Sequence, residues 1–337
     1  MSEQKVKFSI VIPTFNSNFK IFETVESIKK SILNFEKNNS IEYEIIIIND
    51  GGEAIDNKIK NIVENLNIFN LKRNKGVGFA REIGARIAKY ENIFYIDSDI
   101  IIEPNTLSIL YREYKDCKNV GSVGALQSYN NLNNDYSSKF VCAKSCYGFE
   151  DKPDLLEFSA IHSECCIINK FFLRKIGGWN FYKKSGGEEF ELGHKIILNG
   201  KKNYLTKKTR YSTYWENILS RCNKIIYRTS NYLPILFKRK KFEPKGAFAT
   251  KEQFLSVLLT LFTILFLMIF FYSKINFFFI LQIILLNLIV EFDFLKFSKK
   301  IFSIKDIPFF ILGIYLINLA IFIGFIFGIF NLIKGKK

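Results

Sequence analysis

Three short apolar runs, KFSIVIP (7–13), EYEIIIIND (42–50) and NIFYIDSD (92–99), alternate with stretches in which apolar residues recur at helical spacing. Between the first two runs, Phe22, Val25, Ile28, Ile32 and Phe35 recur at three- and four-residue steps; between the second and third, Ile83, Ile87 and Tyr90 do the same after Ala80. Strands apolar on both faces that alternate with amphipathic helices predict βαβ units and a mainly parallel sheet, an α/β fold. In such sheets ligands sit beyond the C-terminal ends of the strands.

Past residue 251 the pattern changes to long runs of Phe, Ile and Leu. The stretches 254–271 and 308–330 are each long enough to cross a bilayer, which takes ~20 apolar residues. The run 275–290 is near the short limit and could be re-entrant. Counting basic flanks, three spans keep Lys296, Lys299, Lys300 and Lys305 on the side of the N-terminal part, and the positive-inside rule favours three over two. Just before these runs, 213–241 is aromatic, basic and amphipathic. Trp215, Ile218, Ile225, Ile226 and Tyr232 could lie in the membrane interface while Arg221, Lys224 and Arg228 meet headgroups, or the segment could be a packed helix.

The net charge of +16 changes meaning once the basic residues are located. Many fall beside the apolar segments, in KRKK (238–241), at Lys299 and Lys300, and in the tail KGKK, where cytoplasmic anchoring and anionic lipid account for them. With no zinc finger, basic zipper or aromatic RNA-binding motif, nucleic acid is not an expected partner. The start, MSEQKVKFSIVIP, is too polar to read as a signal peptide, so the six cysteines are expected as free thiols in a reducing cytoplasm. The spacing of Cys142, Cys146, His162, Cys165 and Cys166 matches no common zinc site.

Each apolar run ends in polar or turn residues: Pro13-Thr14-Phe15-Asn16, Asn49-Asp50-Gly51-Gly52 and Asp97-Ser98-Asp99. Residues two apart in an extended chain share a face, so Asp97 and Asp99 are expected to project together. A solvated strand end or a helix N-cap before Pro104 also suits them. Gathered with Asp50 in one crevice, however, these carboxylates would call for a divalent cation and the donors of a nucleotide. Gly76 and Gly78 open a helix next to Arg73, Lys75 and Arg81, a place where an anion or a plain helix start fits. Arg81 stands where the dinucleotide fingerprint needs its third glycine. Glu188, Glu189 and Glu191 lead another helix, where they suit the helix dipole; beside a nucleotide crevice one of them could be a general base.

Together these residues resemble the family 2 glycosyltransferases: SIVIPTFN (9–16), IIIINDGG (45–52), NKGVGFAREIGA (74–85), YIDSD (95–99) and GGWN…GEEFEL (177–192) come in that family's order. The resemblance implies a GT-A fold, a Rossmann-like mixed sheet, followed here by C-terminal transmembrane helices. It implies a catalytic domain over 1–210, a basic juxtamembrane segment over 211–252 and a membrane region of about three helices over 253–333. By the same resemblance, Thr14, Asn16 and Asp50 would line the base and ribose pocket, and Lys75, Gly76 and Arg81 would face ribose and diphosphate. Asp97 and Asp99 match the DxD element, with Asp99 binding Mg²⁺ or Mn²⁺ and Asp97 helping to place nucleotide and metal. Glu188-Glu189 replaces the family's Glu-Asp pair, with Glu189 as base one methylene longer than usual. His162, Glu164 and Cys166 fall on the acceptor side, although a core or surface histidine also accounts for His162.

The implied reaction is inverting transfer of one sugar from a UDP- or GDP-linked donor to a hydroxyl of a lipid-linked or membrane-associated acceptor. It would run at the cell (inner) membrane with the catalytic domain cytoplasmic. A polyprenyl-phosphate acceptor is the near alternative, and a non-catalytic nucleotide-binding membrane scaffold the distant one.

Overall fold

The computed structural model describes residues 5–17, 19–133, 135–150, 152–182, 187–239, 251–272 and 277–334. Lys240, Lys241, Lys336 and Lys337, on which the reading of the membrane flanks drew, lie outside the described residues.

The chain divides into two compact units, one of 1–130 with 151–214, the other of 131–150 with 215–337. The first is built on a sheet. β1 (Val6–Thr14) pairs in parallel with β2 (Ile41–Asn49) and with β4 (Asn92–Ile96), and β2 pairs in parallel with β3 (Leu66–Asn70). The other half is antiparallel: β8 (Cys165–Asn169) joins β4 to β6 (Val120–Asn131), and β9 (Lys202–Thr213) carries β5 (Ile100–Ile102) and β7 (Leu155–Phe158). The order is β3-β2-β1-β4-β8-β6-β9-β5 with β7 on β9, so the mainly parallel sheet expected from periodicity is a mixed one.

The doubly apolar runs do bury both faces. Phe8, Ile10 and Ile12 of β1 and Ile45 and Ile47 of β2 enter one core cluster, with Val25, Ile28, Ile32 and Phe35 of α1 (Lys20–Glu36) and Leu107 and Leu110 of α3 (Thr106–Asp116). Val11, Ile46, Ile48, Ile93 and Tyr95 face the other way, toward α2 (Val77–Ile87), α5 (Lys170–Lys175) and α6 (Glu188–Leu198).

α2 departs from its expected stripe at one position. Ala80 and Tyr90 are buried and Ile83 packs against the core, but Ile87 is 40% exposed, and the helix also buries Arg81, Gly84 and Ala85. The reason is proximity to β1: a Cβ built on Gly84 would stand 2.3 Å from the Val11 Cγ1. Gly84→Val should therefore overpack this contact and destabilise the protein by about 2 kcal/mol or more, with partial recovery when Val11→Ala makes room. Chemical denaturation of the single and double variants measures both effects.

The second unit is helical: α4 (Tyr136–Cys146), spliced between β6 and β7, with α7 (Ile218–Arg239), α8 (Lys251–Tyr272), α9 (Phe277–Val290), α10 (Phe292–Ile301) and α11 (Ile307–Ile333). Segments 251–271 and 304–333 are long and apolar enough to cross a membrane; α9 and α10, bent by 61°, add a third span only if taken as one. Alone, a 14-residue helix such as α9 reaches about 21 Å, short of the ~30 Å hydrocarbon core.

α7 is a packed helix: it runs along α11, where a Cβ on Gly324 would stand 2.8 Å from the Thr229 Cβ and one on Gly328 2.9 Å from the Leu233 Cβ. Its Arg221 and Lys224 pair with Glu216 at 2.9 and 3.3 Å. Lys144 of α4 meets Glu291 at 2.9 Å and Lys139 meets Asp306 at 3.6 Å, neutralising two buried carboxylates. Deeper in, Ser256 and Thr260 of α8, Asn287 of α9 and Asn318 of α11 exchange hydrogen bonds of 2.8–3.1 Å, and Gln253 donates to the Asn318 carbonyl oxygen.

Candidate active site

The C-terminal ends of β1, β2 and β4 meet as the strand pattern requires. Thr14, Asn16, Ser17, Phe22, Asn49 and Glu53 line a cleft of about 220 Å³. Asn16, at φ +54°, accepts the Glu53 N–H on its Oδ1 at 2.9 Å, and Asn49 Nδ2 donates to the Glu53 carbonyl at 2.9 Å, so the two strand ends are tied through one loop. Ser17 and Ser98 share a 2.6 Å hydrogen bond that brings this cleft to the Asp97-Ser98-Asp99 segment.

Asp50 is buried, and its two carboxylate oxygens accept the backbone N–H groups of Lys75 and Gly76 at 3.0 and 2.7 Å. Burial pushes this carboxyl up while the two amides oppose the shift. Gly76, at φ +97°, starts α2, a conformation that costs other residues dearly. Asp50 thus braces the loop before α2. The Lys75 ammonium is exposed and lies 4.3 Å from the Phe79 ring centroid.

Asp97 and Asp99 come together by a different route from the one periodicity suggested. β4 ends at Ile96 and β5 starts at Ile100, so the acids sit in a turn where the two-residue alternation of a strand no longer holds. Asp97 N–H donates to the Glu164 carbonyl at 2.9 Å, and its Oδ1 accepts Arg81 Nη2 at 2.7 Å. Burial pushes the Asp97 carboxyl up to about 7; Arg81 opposes this, while Glu164 and Asp99 add to it.

Arg81 is 1% exposed. Its guanidinium also lies 4.0 Å from Glu189 Oε1 and 5.2 Å from the Trp179 ring centroid. Glu189, in the first turn of α6, accepts Ser163 Oγ at 3.4 Å; Glu188 beside it is 1% exposed. Asp97, Glu189 and Glu188 together hold Arg81 charged against its burial.

The profile of the family described as Glycosyl transferase family 2 matches residues 9–177, half of the chain. The chain belongs to glycosyltransferase family 2. It is 33% identical over 115 residues to the poly(ribitol-phosphate) beta-N-acetylglucosaminyltransferase TarP of Staphylococcus aureus (strain N315), a match covering 33% of each protein. The chain therefore spans about a third of the length of that relative. Among solved structures, the mannosyltransferase PcManGT of Pyrobaculum calidifontis, in complex with GDP-Man and Mn²⁺, superposes with a TM-score of 0.54 at 14% identity, over 99% of this chain and 89% of that one. GalNAc-T7 with UDP, GalNAc and Mn²⁺ superposes with a TM-score of 0.51 at 19% identity, over 69% and 48%. At such identities the likeness is one of fold, the GT-A fold.

The remaining residues expected in this family 2 site divide. Glu164 accepts Gln127 Nε2 at 3.0 Å and the Tyr211 hydroxyl, at the edge of the acid cluster. His162 stacks at a tilt 5.9 Å from Tyr211; burial lowers its pKa against Glu164 and Glu189, and its Nδ1 has no hydrogen-bond partner among the described residues. Cys166 is a correction: it lies within β8, opposite Tyr95, 0% exposed in the core, and burial pushes its thiol up to about 12. It offers nothing to an acceptor.

Among the described residues no three His, Cys, Asp or Glu side chains form a metal-binding group. The Asp97–Asp99 pair still fits a hard divalent cation, since Mg²⁺-type sites take one or two carboxylates and fill the other positions with water and substrate phosphates. Sequence reasoning passed over the residues that frame the acids. Trp179 Nε1 donates to the Tyr95 hydroxyl at 3.0 Å, that hydroxyl donates to the Arg81 carbonyl at 3.3 Å, and the Trp179 N–H donates to Glu82 at 3.1 Å. The aromatic residue in YIDSD and the tryptophan in GGWN were the available signals.

Proposed function

We propose that the protein is an inverting, metal-dependent glycosyltransferase that moves one sugar from a UDP- or GDP-linked donor to a hydroxyl of a lipid-linked or membrane-associated acceptor. The observation that carries this reading is the convergence of Asp97 and Glu189 on Arg81, a DxD acid and a base candidate within one cluster. Residues 1–210 would carry the chemistry and 253–333 would anchor it at the cell membrane, with the catalytic part cytoplasmic.

In this reading Thr14 and Asn16 take the nucleoside, Asp50 braces the loop before α2, and Lys75 with the Gly76 amide faces the diphosphate. Asp99 and Asp97 would hold Mg²⁺ or Mn²⁺, which would neutralise charge on the departing diphosphate. Glu189 takes the proton of the acceptor hydroxyl as that oxygen bonds to the anomeric carbon. The anomeric C–O bond breaks on the opposite face, and its electron pair leaves with the nucleoside diphosphate. Glu188 backs the base, and His162 and Glu164 border the acceptor. The name of TarP, with a poly(ribitol-phosphate) acceptor, supports an acceptor hydroxyl on a polyol.

The full chain in detergent, offered UDP- and GDP-sugars, should release nucleotide from one of them at least about tenfold faster with Mn²⁺ or Mg²⁺ than with chelator. Release indifferent to chelator removes the metal from the reading. No release, and no metal-dependent UDP or GDP binding by calorimetry, replaces the enzyme with a membrane scaffold.

A further inference from the structure

Among the described residues Arg81 is one of the largest fully buried side chains, yet it is held charged. A charge that deep is costly unless carboxylates surround it, and three do. Its Nη2 is 2.7 Å from Asp97 and its Nη1 4.0 Å from Glu189. Among the described residues its Nε and Nη1 have no hydrogen-bond acceptor. Trp179 covers the guanidinium, Tyr95 holds Trp179 through the indole N–H, and the same Tyr95 hydroxyl binds the Arg81 carbonyl. Side chain and backbone of Arg81 are thus fixed by one aromatic brace.

We infer that Arg81 is a positioning residue, one guanidinium that sets the separation and aim of the DxD carboxylate Asp97 and the base carboxylate Glu189, rather than a ligand of the donor diphosphate. The inference rests on the functional reading above and reassigns one residue within it. At 1% exposure Arg81 presents no surface to a diphosphate. Glu189 by contrast needs a guide: it has one more rotatable bond than aspartate, and its hydrogen bond from Ser163 is long at 3.4 Å. The unoccupied Nη1 supplies that guide. A small side-chain rotation that brings the Glu189 oxygen about 1 Å nearer turns the ion pair into a charge-assisted hydrogen bond. The planar fork then fixes the carboxylate relative to Asp97, which a point charge cannot do.

Two variants in the full chain test this. Arg81→Lys keeps the charge and loses the fork. With Mn²⁺ present it should bind UDP or GDP within about threefold of wild type by calorimetry and keep its donor KM within about threefold, while turnover at saturating donor falls about 100-fold. Arg81→Gln removes the cation that competes for Asp97, so Mn²⁺ alone, titrated by electron paramagnetic resonance, should bind about three- to tenfold tighter. Nucleotide affinity that drops about tenfold or more, with turnover at saturation within threefold of wild type, would assign Arg81 to the diphosphate and overturn the inference. Unchanged turnover, or unchanged Mn²⁺ affinity in folded Arg81→Gln, overturns it as well. Melting transitions establish folding, and if Arg81→Gln fails to fold, the split in Arg81→Lys decides. A wild-type chain that turns over no donor removes the functional reading, and the Mn²⁺ titration then judges the Arg81–Asp97 pairing by itself.

Discussion

Asp99→Ala is expected to lower metal-dependent nucleotide release about 1,000-fold, equivalent to roughly 4 kcal/mol of transition-state stabilisation. The size follows from the donor set. Asp97 already gives its Oδ1 to Arg81 at 2.7 Å, and among the described residues no third acidic, histidine or cysteine ligand completes a metal group. In the proposed site, losing Asp99 would leave Asp97 as the one carboxylate for the cation, which would then depend on water and diphosphate oxygens for nearly all of its coordination. Asp99→Asn keeps the shape of the side chain and should lose nearly as much, because it lacks the charge. The measurement is initial rate against Mn²⁺ concentration, with Mn²⁺ binding followed in parallel. Either variant retaining a tenth of wild-type activity would rule out the metal role given to Asp99.

Glu189→Gln should cut transfer to a hydroxyl acceptor about 100- to 10,000-fold while the donor KM stays within about threefold. Glutamine keeps the length of the side chain and its reach to Ser163 but cannot take the acceptor proton. It also removes one of the three carboxylates around Arg81. The same variant separates the two acceptor classes, because a polyprenyl phosphate arrives already ionised and needs no base. Full transfer by Glu189→Gln would move the reading to a phosphate acceptor. Transfer to a polyol or lipid-linked sugar, measured beside transfer to a polyprenyl phosphate, gives the comparison.

How much of this could be read from the sequence depends on what kind of contact each residue makes. β1, β2 and β4 were legible because each is apolar on both faces, a local property of the chain. β3 was not: LNIFN is only five residues long, and its place is set by pairing with β2. The antiparallel half stayed hidden for the same reason, since β5 and β7 are three and four residues long and owe their existence to β9. The acids at 97 and 99 were legible as a pair, but the turn that joins them was not, and the strand argument reached the right neighbours for the wrong cause. Arg81 was legible as a cation near a helix start. Its burial was not, because it follows from the close approach of α2 to β1 at Gly84, a tertiary fact. Cys166 failed as an acceptor residue because position within β8, not closeness in sequence to Glu164, decides what a side chain faces. The amphipathic pattern of 213–241 was sound, while its partner, α11, lay a hundred residues downstream.

The hydrogen-bonded set of Ser256, Thr260, Asn287 and Asn318 bears on how the protein is made. Apolar helices in lipid gain little from meeting any one neighbour over another, since the tails around them are just as apolar. Asn287 bonds Ser256 and Thr260 within the α8–α9 pair, and Asn318 bonds the same two residues from α11 while accepting from Gln253. Asn318 stands in α11, which follows α8 and α9 in the sequence. The register of these helices is therefore complete only once α11 has been made, and a chain stopped before it would leave Ser256 and Thr260 without the Asn318 amide.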